Sequence, residues 1–192
     1  MTRCYLHDSR VRVMVEGFSQ GTFTGNTFEL ATDVWWPQGG AMENVVVRGN
    51  VFKDCPYDTG WGSEGGVVNV GPLRNVSPPK EGQGYANRNV LITGNTFSGS
   101  AKAAVSVSDA SDVIVSDNVM ENVGAGGKGA IELNVVGLDR VSGNKIFHSQ
   151  GPVLSVGGSQ AITAAHNFTD GQPAPASAVK VENSTGIAVS GK

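Results

Sequence analysis

The sequence is poor in the features that mark several common protein classes. It has only two cysteines, Cys4 and Cys55, which are too few for a disulfide framework. Leucine and lysine are scarce, so there is little material for long amphipathic helices. No apolar run approaches the length of a membrane span. Lys and Arg number 14 against 17 Asp and Glu, and this balance argues against a nucleic-acid-binding surface.

Glycine is abundant, with 27 residues in a chain of 192. Valine, asparagine, serine and threonine also recur along the sequence. Valine and threonine favour strands, whereas glycine and asparagine favour turns. The composition therefore predicts a β-rich chain with many turns.

A short motif returns at regular intervals. TGNTF occurs at 24–28 and at 93–97, and RGNVF at 48–52 is a near copy. With the asparagine of the motif as an anchor, the successive spacings are 24, 45, 23, 26 and 23. We interpret the longest interval, from 50 to 95, as one unit that carries an insertion. The anchors are Asn26, Asn50, Asn95, Asn118, Asn144 and Asn167.

Apolar residues alternate around the anchors, as expected for strands with one buried face. A large apolar residue stands two places after five of them, at Phe28, Phe52, Phe97, Met120 and Ile146. A repeat of this length, about 23 residues, with short strands is typical of a solenoid. The leucine framework of leucine-rich repeats is missing, and a β-propeller blade needs about twice this length.

The sequence therefore predicts an all-β fold, a single-stranded right-handed parallel β-helix of about seven coils over residues 1–192. Equivalent residues of successive coils stack about 4.8 Å apart in this fold. We expect the glycine of the motif to make the turn. We expect the asparagine to tolerate a left-handed backbone and to bond to its neighbours along the axis, and the phenylalanine to fill the interior.

The repeated V-x-V-x-G-N-x-F corner resembles that of the right-handed parallel β-helix proteins of the pectate-lyase-like superfamily. The resemblance covers nearly the whole chain. It implies a carbohydrate-active protein, since polysaccharide lyases, glycoside hydrolases, carbohydrate esterases and phage tailspikes share this fold. A narrower resemblance, on residues 9–29 and 34–55, is to the later coils of the β-helical exo-α-galactosidases of glycoside hydrolase family 110. The catalytic aspartates of that family have no counterpart here, so none is carried over.

Two insertions fall in the long repeat, at 55–66 and 71–89, and extra loop length of this kind is often functional. Counting one period from the outer anchors reaches Arg3, with Tyr5 in the phenylalanine position, and Lys192. Neither a capping helix nor a polar terminal coil is visible, and uncapped coils expose strand edges. We expect either a fragment of a longer solenoid or self-association through the uncapped ends.

A sugar-binding groove is expected on the outward face of one sheet. The stripe of Arg12, Trp35, Asn69, Ser106 and Glu132 alternates with inward apolar residues. Carboxylates serve as acid and base in glycoside hydrolysis, and aromatic rings line many ligand sites. The predicted catalytic residues are Asp58, Glu64 and Glu132, and the predicted substrate-binding residues are Arg12, Trp35, Trp61 and Asn69. The alternative is a solvated sheet face.

Other polar residues favour simpler interpretations. His148 and His166 lie near consecutive corners and are interpreted as turn residues, with no third ligand in register. Asp58 and Glu64 match no calcium-binding spacing. We predict no metal and no cofactor. Asp139 occupies an inward position, for which we expect a local bulge.

The sequence thus favours glycan hydrolysis or binding in a lateral groove, with a glycoside hydrolase preferred over a lyase. The alternatives are a non-catalytic structural or glycan-binding segment, or a phage-type spike or fibre segment. The expected partner is a carbohydrate, with neither nucleic acid nor membrane. No signal peptide is present in the chain, and its location in the cell stays open, with a secreted or cell-surface parent protein as one expectation.

Overall fold

The computed structural model describes residues 1–7, 20–29, 42–55, 66–71, 84–100, 102–124 and 129–190. In these residues nineteen strands and one short 3-10 helix, Ala176–Ala178, are found. No helix in the described part of the chain is long and apolar enough to cross a membrane. The strands are β1 Tyr5–His7, β2 Gly21–Thr24, β3 Thr27–Glu29, β4 Glu43–Arg48, β5 Val51–Lys53, β6 Gly66–Val70, β7 Asn87–Thr93, β8 Thr96–Ser98, β9 Ala103–Ser116, β10 Val119–Glu121, β11 Ile131–Gly137, β12 Arg140–Ser142, β13 Lys145–Phe147, β14 Leu154–Gly157, β15 Thr163–Ala165, β16 Phe168–Thr169, β17 Gln172–Pro173, β18 Val179–Glu182 and β19 Ala188–Ser190.

The strands form a solenoid with three faces. The ladder face stacks β1, β3, β5, β8, β10, β13 and β16 in parallel, and β17 then pairs antiparallel with β16. The groove face contains β6, the first part of β9, β11, β14 and β18. The third face contains β2, β4, β7, the rest of β9, β12, β15 and β19. The predicted parallel β-helix is confirmed. About five turns are complete, fewer than the predicted seven coils, although seven parallel strands stack on the ladder face.

Phenylalanines stack inside the ladder face, as the motif predicts. Phe28 is aligned with Phe52, and Phe52 with Phe97. Their ring centroids are 5.1 and 4.8 Å apart, and the ring planes are within 5° and 11° of parallel. Met120 and Ile146 continue this buried column. Apolar burial along the axis stabilises each coil on the next.

The anchor asparagines form a buried hydrogen-bonded ladder. Each Nδ2 donates to the Oδ1 of the next anchor at 2.9–3.0 Å, from Asn26 to Asn167. That Oδ1 also accepts the backbone N–H of the preceding anchor at 2.9–3.2 Å. Asn118, for example, also donates from Nδ2 to the carbonyl of Ile92. The ladder therefore satisfies polar groups that burial would otherwise leave unpaired.

The left-handed backbone falls one residue before the anchor, not on it. Gly25, Gly49, Gly94 and Gly143 have φ between 61° and 68°, whereas the anchors have no positive φ. The glycine of the motif therefore makes the turn with positive φ, as predicted, and the asparagine does not use the left-handed backbone that it was expected to tolerate. His166 takes this turn position with φ 53°, and His148 takes a second left-handed position four residues after Asn144. Both histidines are turn residues, as expected.

The first coil starts one residue later than the period suggests. Leu6, not Tyr5, is aligned with Phe28, and Cys4 therefore stands next to Asn26 in the ladder position. The Cys4 backbone N–H donates to Asn26 Oδ1 at 3.0 Å. Tyr5 points outward instead and donates its hydroxyl to Glu29 Oε2 at 2.8 Å. The expectation that Tyr5 occupies the phenylalanine position is wrong. The sequence offset between paired residues is smaller from β1 to β3 than from β3 to β5, so the first coil is the shorter one.

Asp139 is buried without the expected bulge. The offset between β9 and its neighbours is the same on both sides of it, from Gly137 aligned with Ser111 to Arg140 aligned with Ile114. The extra residues of this coil lie between β10 and β11. The sequence offset between paired residues of neighbouring coils is larger after this segment than before it. Asp139 Oδ1 accepts the Val113 N–H at 3.0 Å, and no hydrogen-bond partner is found for its Oδ2 within the described residues. Burial raises the pKa of Asp139 to about 8, with a smaller contribution from Asp112, while the Val113 bond lowers it.

Candidate functional site

Two columns of outward side chains run along the groove face. In the first column Asn69, Ser106, Glu132, Ser155 and Lys180 are aligned on successive strands. The alignment of Asn69, Ser106 and Glu132 follows the predicted stripe, and the column continues two strands further. Strand pairing alone therefore places Glu132, Ser155 and Lys180 side by side, about 4.8 Å apart per step.

The second column lies two residues along the same strands. Ser108, Asn134, Gly157 and Glu182 are aligned there. Gly157 has no side chain to fill the surface, and a Cβ at this position would lie 2.9 Å from Asn134 Oδ1. The Asn134 amide therefore leans over the glycine, and a depression remains between the taller side chains.

The depression is a polar groove of about 220 Å³. It opens on the outer surface of β11, β14 and β18, where backbone pairing fixes the strands that carry its side chains. Its lining residues are Glu132, Asn134, Ser155, Val156, Gly157, Lys180 and Glu182. Carboxylate, amide, hydroxyl and ammonium groups together offer both donors and acceptors to a polyhydroxylated ligand.

An ion pair lies at the edge of the groove. Lys180 Nζ is 2.9 Å from Glu182 Oε1, and both side chains are about 60% exposed. A pair this exposed adds little stability, since solvent screens it. Among the described lining residues, Glu132 and Glu182 are negatively charged and Lys180 is positively charged.

Two carboxylates, Glu132 and Glu182, stand on opposite sides of Ser155. They are separated by two strands and two residues, which places their Cα atoms about 12 Å apart. Glu132 is partly exposed and was predicted, whereas Glu182 and Lys180 were not. The signal was available in the alternating AVKVE run, to which the rule of outward residues applies in the same way.

Asn69 does not reach the groove. It is 3% exposed, although it faces outward between Val68 and Val70. Its Nδ2 donates to the Gly66 carbonyl at 2.7 Å, and its Oδ1 accepts the Gly66 N–H at 2.6 Å. Both ends of the amide therefore hold the start of β6, and its role in substrate binding stays a prediction.

The remaining predicted site residues lie outside the described residues. They are Arg12, Trp35, Asp58, Trp61 and Glu64. Most of both insertions, 55–66 and 71–89, falls in the same undescribed ranges. Their placement beside the groove stays a prediction.

Among the described residues, no group of three or more His, Cys, Asp or Glu side chains is arranged to hold a metal ion. His148 Nδ1 lies 3.7 Å from Glu121 Oε1 on the ladder face, and its backbone N–H donates to Asp170 Oδ1 at 3.0 Å. Both contacts are at the solvent-exposed corner, and they account for His148 as a turn residue.

The coil pattern matches a known family over most of its length. The model of the right-handed β-helix region matches residues 1–169, and the chain belongs to this family. No curated protein matches the sequence. Among solved structures, it is similar to the A-module of mannuronan C-5 epimerase AlgE6 from Azotobacter vinelandii, with 16% identity and a TM-score of 0.39. That match covers 98% of this chain and 58% of the module.

Proposed function

We propose that this β-helix binds a glycan in the groove formed by β11, β14 and β18. The observation that carries the proposal is the pair of outward columns, Glu132–Ser155–Lys180 and Asn134–Gly157–Glu182. Sheet pairing holds these side chains on a rigid surface, and rigid presentation reduces the entropy lost on binding. A sugar chain laid across the strands meets a new polar group at each coil.

The charge of the groove favours a neutral glycan. The described lining residues carry two carboxylates and one lysine, a net charge of minus one among them. A polyuronate would bring further negative charge to this surface, with unfavourable Coulomb energy. Hydroxyl groups of a neutral sugar bond to carboxylate and amide side chains without that repulsion. We therefore expect neutral chains to bind more tightly than uronic acid chains.

Binding is tested by titration calorimetry with defined hexasaccharides. The probes are neutral hexamers of glucose, galactose or mannose and a hexamer of mannuronate. At least one neutral hexamer should bind, and Glu132→Gln should weaken it on the order of tenfold, since charge-assisted hydrogen bonds are the stronger ones. Glu121→Gln on the ladder face is the matched control and should bind as the parent does. Equal effects of the two variants, or binding of none of the neutral hexamers, would refute the proposal.

Hydrolysis is a second candidate function, favoured by the two carboxylates. Glu132 and Glu182 lie on either side of Ser155, and extended glutamates with Cα atoms about 12 Å apart can bring their carboxyl groups within the roughly 6.5–9.5 Å used by inverting glycosidases. One carboxyl would protonate the glycosidic oxygen, and the other would take a proton from the attacking water. The predicted acids Asp58 and Glu64 are the rival pair.

Release of reducing ends from the bound hexamer tests this second function. If Glu132 and Glu182 are the acid and base, each glutamine variant should lower the rate at least about 100-fold while the sugar still binds. Undiminished turnover in both variants would move the chemistry to Asp58 and Glu64. No turnover in the parent chain would leave a glycan-binding β-helix. A trimer in light scattering would instead favour a spike or fibre segment.

A further inference from the structure

One corner of the solenoid departs from its own pattern. Between the groove face and the third face, six aligned residues have a left-handed backbone with φ between 53° and 66°. The first three are the asparagines and aspartate that tolerate this conformation, and the last is glycine. The column consists of Asn44, Asn89, Asp112, Leu138, Ala161 and Gly186.

Two residues of this column, Leu138 and Ala161, are of neither type, and Leu138 is the one with a bulky side chain. Its φ is 60° and its side chain is 68% exposed. A bulky residue in the left-handed region is strained relative to a permissive one. Burial in the core does not offset that cost here, since the side chain faces solvent. Strain at an exposed apolar residue points to a contact made outside the fold.

A tyrosine lies against the strand just before this leucine. A Cβ placed on Gly137, the residue before Leu138, would come within 2.8 Å of Tyr85 Oη and within 3.0–3.1 Å of two ring carbons. Only a glycine lets the phenol end of Tyr85 settle against β11. Gln160 Nε2 donates to Tyr85 Oη at 3.3 Å from the next coil. The partly exposed ring is therefore tethered in place.

This patch lies close to the groove. Asn134 lines the groove, and Gly137 follows it by three residues on the same strand, so the two Cα atoms are at most about 10 Å apart. On the next coil Gly157 and Gln160 have the same spacing. The chain turns between the groove and this patch, at Val135 with φ 53° and at Gly158 with φ 57°, so the Tyr85 and Leu138 side chains lie around a corner from the groove edge.

We infer that Tyr85, Leu138 and Gln160 form an apolar subsite for a further sugar ring of the glycan. The inference rests on the proposed function, because it extends the same groove. A sugar ring has an apolar face of C–H groups with hydroxyls at its rim. The Tyr85 ring and the Leu138 methyls supply an apolar platform, and the phenol oxygen and Gln160 amide supply polar contacts at its edge.

The experiment compares ligand lengths in the binding-competent protein. The neutral hexasaccharide identified by titration and its disaccharide are measured against the parent chain, Tyr85→Ala and Leu138→Asn. Leu138→Asn is the decisive variant, because asparagine suits the left-handed corner and should keep or raise Tm. Both variants should lower affinity for the hexamer on the order of tenfold and leave the disaccharide unchanged.

Controls separate a subsite from a structural role. Leu138→Met keeps apolar bulk and should retain most of the hexamer affinity, and in NMR titrations the Leu138 methyl signals should shift with the hexamer only. If Leu138→Asn binds the hexamer as well as the parent, the subsite is refuted while groove binding stands. If Glu132→Gln is also without effect, or no sugar binds, the proposed function and the subsite fail together.

Discussion

Along strand β11, inward and outward residues follow different rules. Inward Ile131 and Leu133 stack on Val105 and Val107 of β9, so each of these buried apolar residues packs on another apolar residue in the neighbouring coil. Outward Glu132 and Asn134 stack on serines on one side and on Ser155 and Gly157 on the other. The interior repeats because packing and buried hydrogen bonds demand it. The exterior is free to vary, so its variation carries the information about function.

The largest effect should come from breaking the interior at its centre. Phe52→Ala removes the middle ring of the stack, whose neighbours lie 5.1 and 4.8 Å away. We expect a loss of about 3–5 kcal/mol in the free energy of unfolding, from lost burial and an unfilled cavity. Urea denaturation followed by circular dichroism measures it. The outward neighbour variant Val51→Ala is the control, and a similar loss there would deny the difference between inside and outside.

Next in size is the asparagine ladder. Asn118→Ala removes the acceptor of two bonds from Asn95 and leaves buried donors unpaired. Each unpaired buried group costs about 1–3 kcal/mol, so the variant should lose about 2–4 kcal/mol of unfolding free energy. Asn134→Ala, on the exposed side of β11 and without a left-handed backbone, is the matched control. Equal unfolding midpoints for the two alanine variants would show that the ladder contributes nothing specific.

Asp139 is the interior position that breaks the apolar rule. Its pKa is raised to about 8, so the folded state holds the proton more tightly than the unfolded chain, whose carboxyl has its ordinary pKa of 3.8. Stability should then fall as the pH rises from about 4 to 8, because the unfolded chain is favoured once the carboxyl ionises. Asp139→Asn mimics the protonated form and should remove much of this fall. Thermal unfolding of both proteins at pH 5 and pH 8 measures this fall in stability. An equal change in Tm between the two pH values for the parent and for Asp139→Asn would contradict the assignment.

The smallest effect on stability should come from the groove itself. Gly157→Ala places a methyl 2.9 Å from Asn134 Oδ1, and that amide can move aside. We expect a change in unfolding free energy of about 0.5 kcal/mol or less, together with weaker binding of the neutral hexasaccharide. Gly129→Ala, which would meet backbone atoms, is the contrasting variant and should destabilise the fold. A large loss of stability from Gly157→Ala would mean that the groove is part of the core packing.

The interior was predictable from the sequence because stacking forces like residues into register. Phe28, Phe52 and Phe97 share one column, and the six anchors form one ladder. Errors of one residue arose where the period changes, as in the first coil, where Leu6 replaces Tyr5. The positive φ of the glycine before each anchor was predicted correctly at Gly25, Gly49, Gly94 and Gly143.

The exterior was less predictable for the same physical reason. The alternating AVKVE run marks Lys180 and Glu182 as outward residues, but only strand pairing shows that they lie beside Glu132. Asn69 was correctly assigned to the outward side, yet its amide is used by Gly66, a contact that the alternation pattern does not encode. Leu138 shows its significance only beside the aligned residues of its corner.

The central claim is that residues repeat in register along one axis, and spin-label distances test it most directly. One outward column of the third face contains Thr22, Arg140, Thr163 and Ala188. Counted in coils from Thr22, Arg140 is four steps along this column, Thr163 five and Ala188 six. In a Cys4→Ser background, labels at Thr22 paired with each of the others should be about 19, 24 and 29 Å apart, a rise of about 4.8 Å per coil. Distances that do not rise by equal steps would contradict the stacked register, and the groove built on it would fall as well.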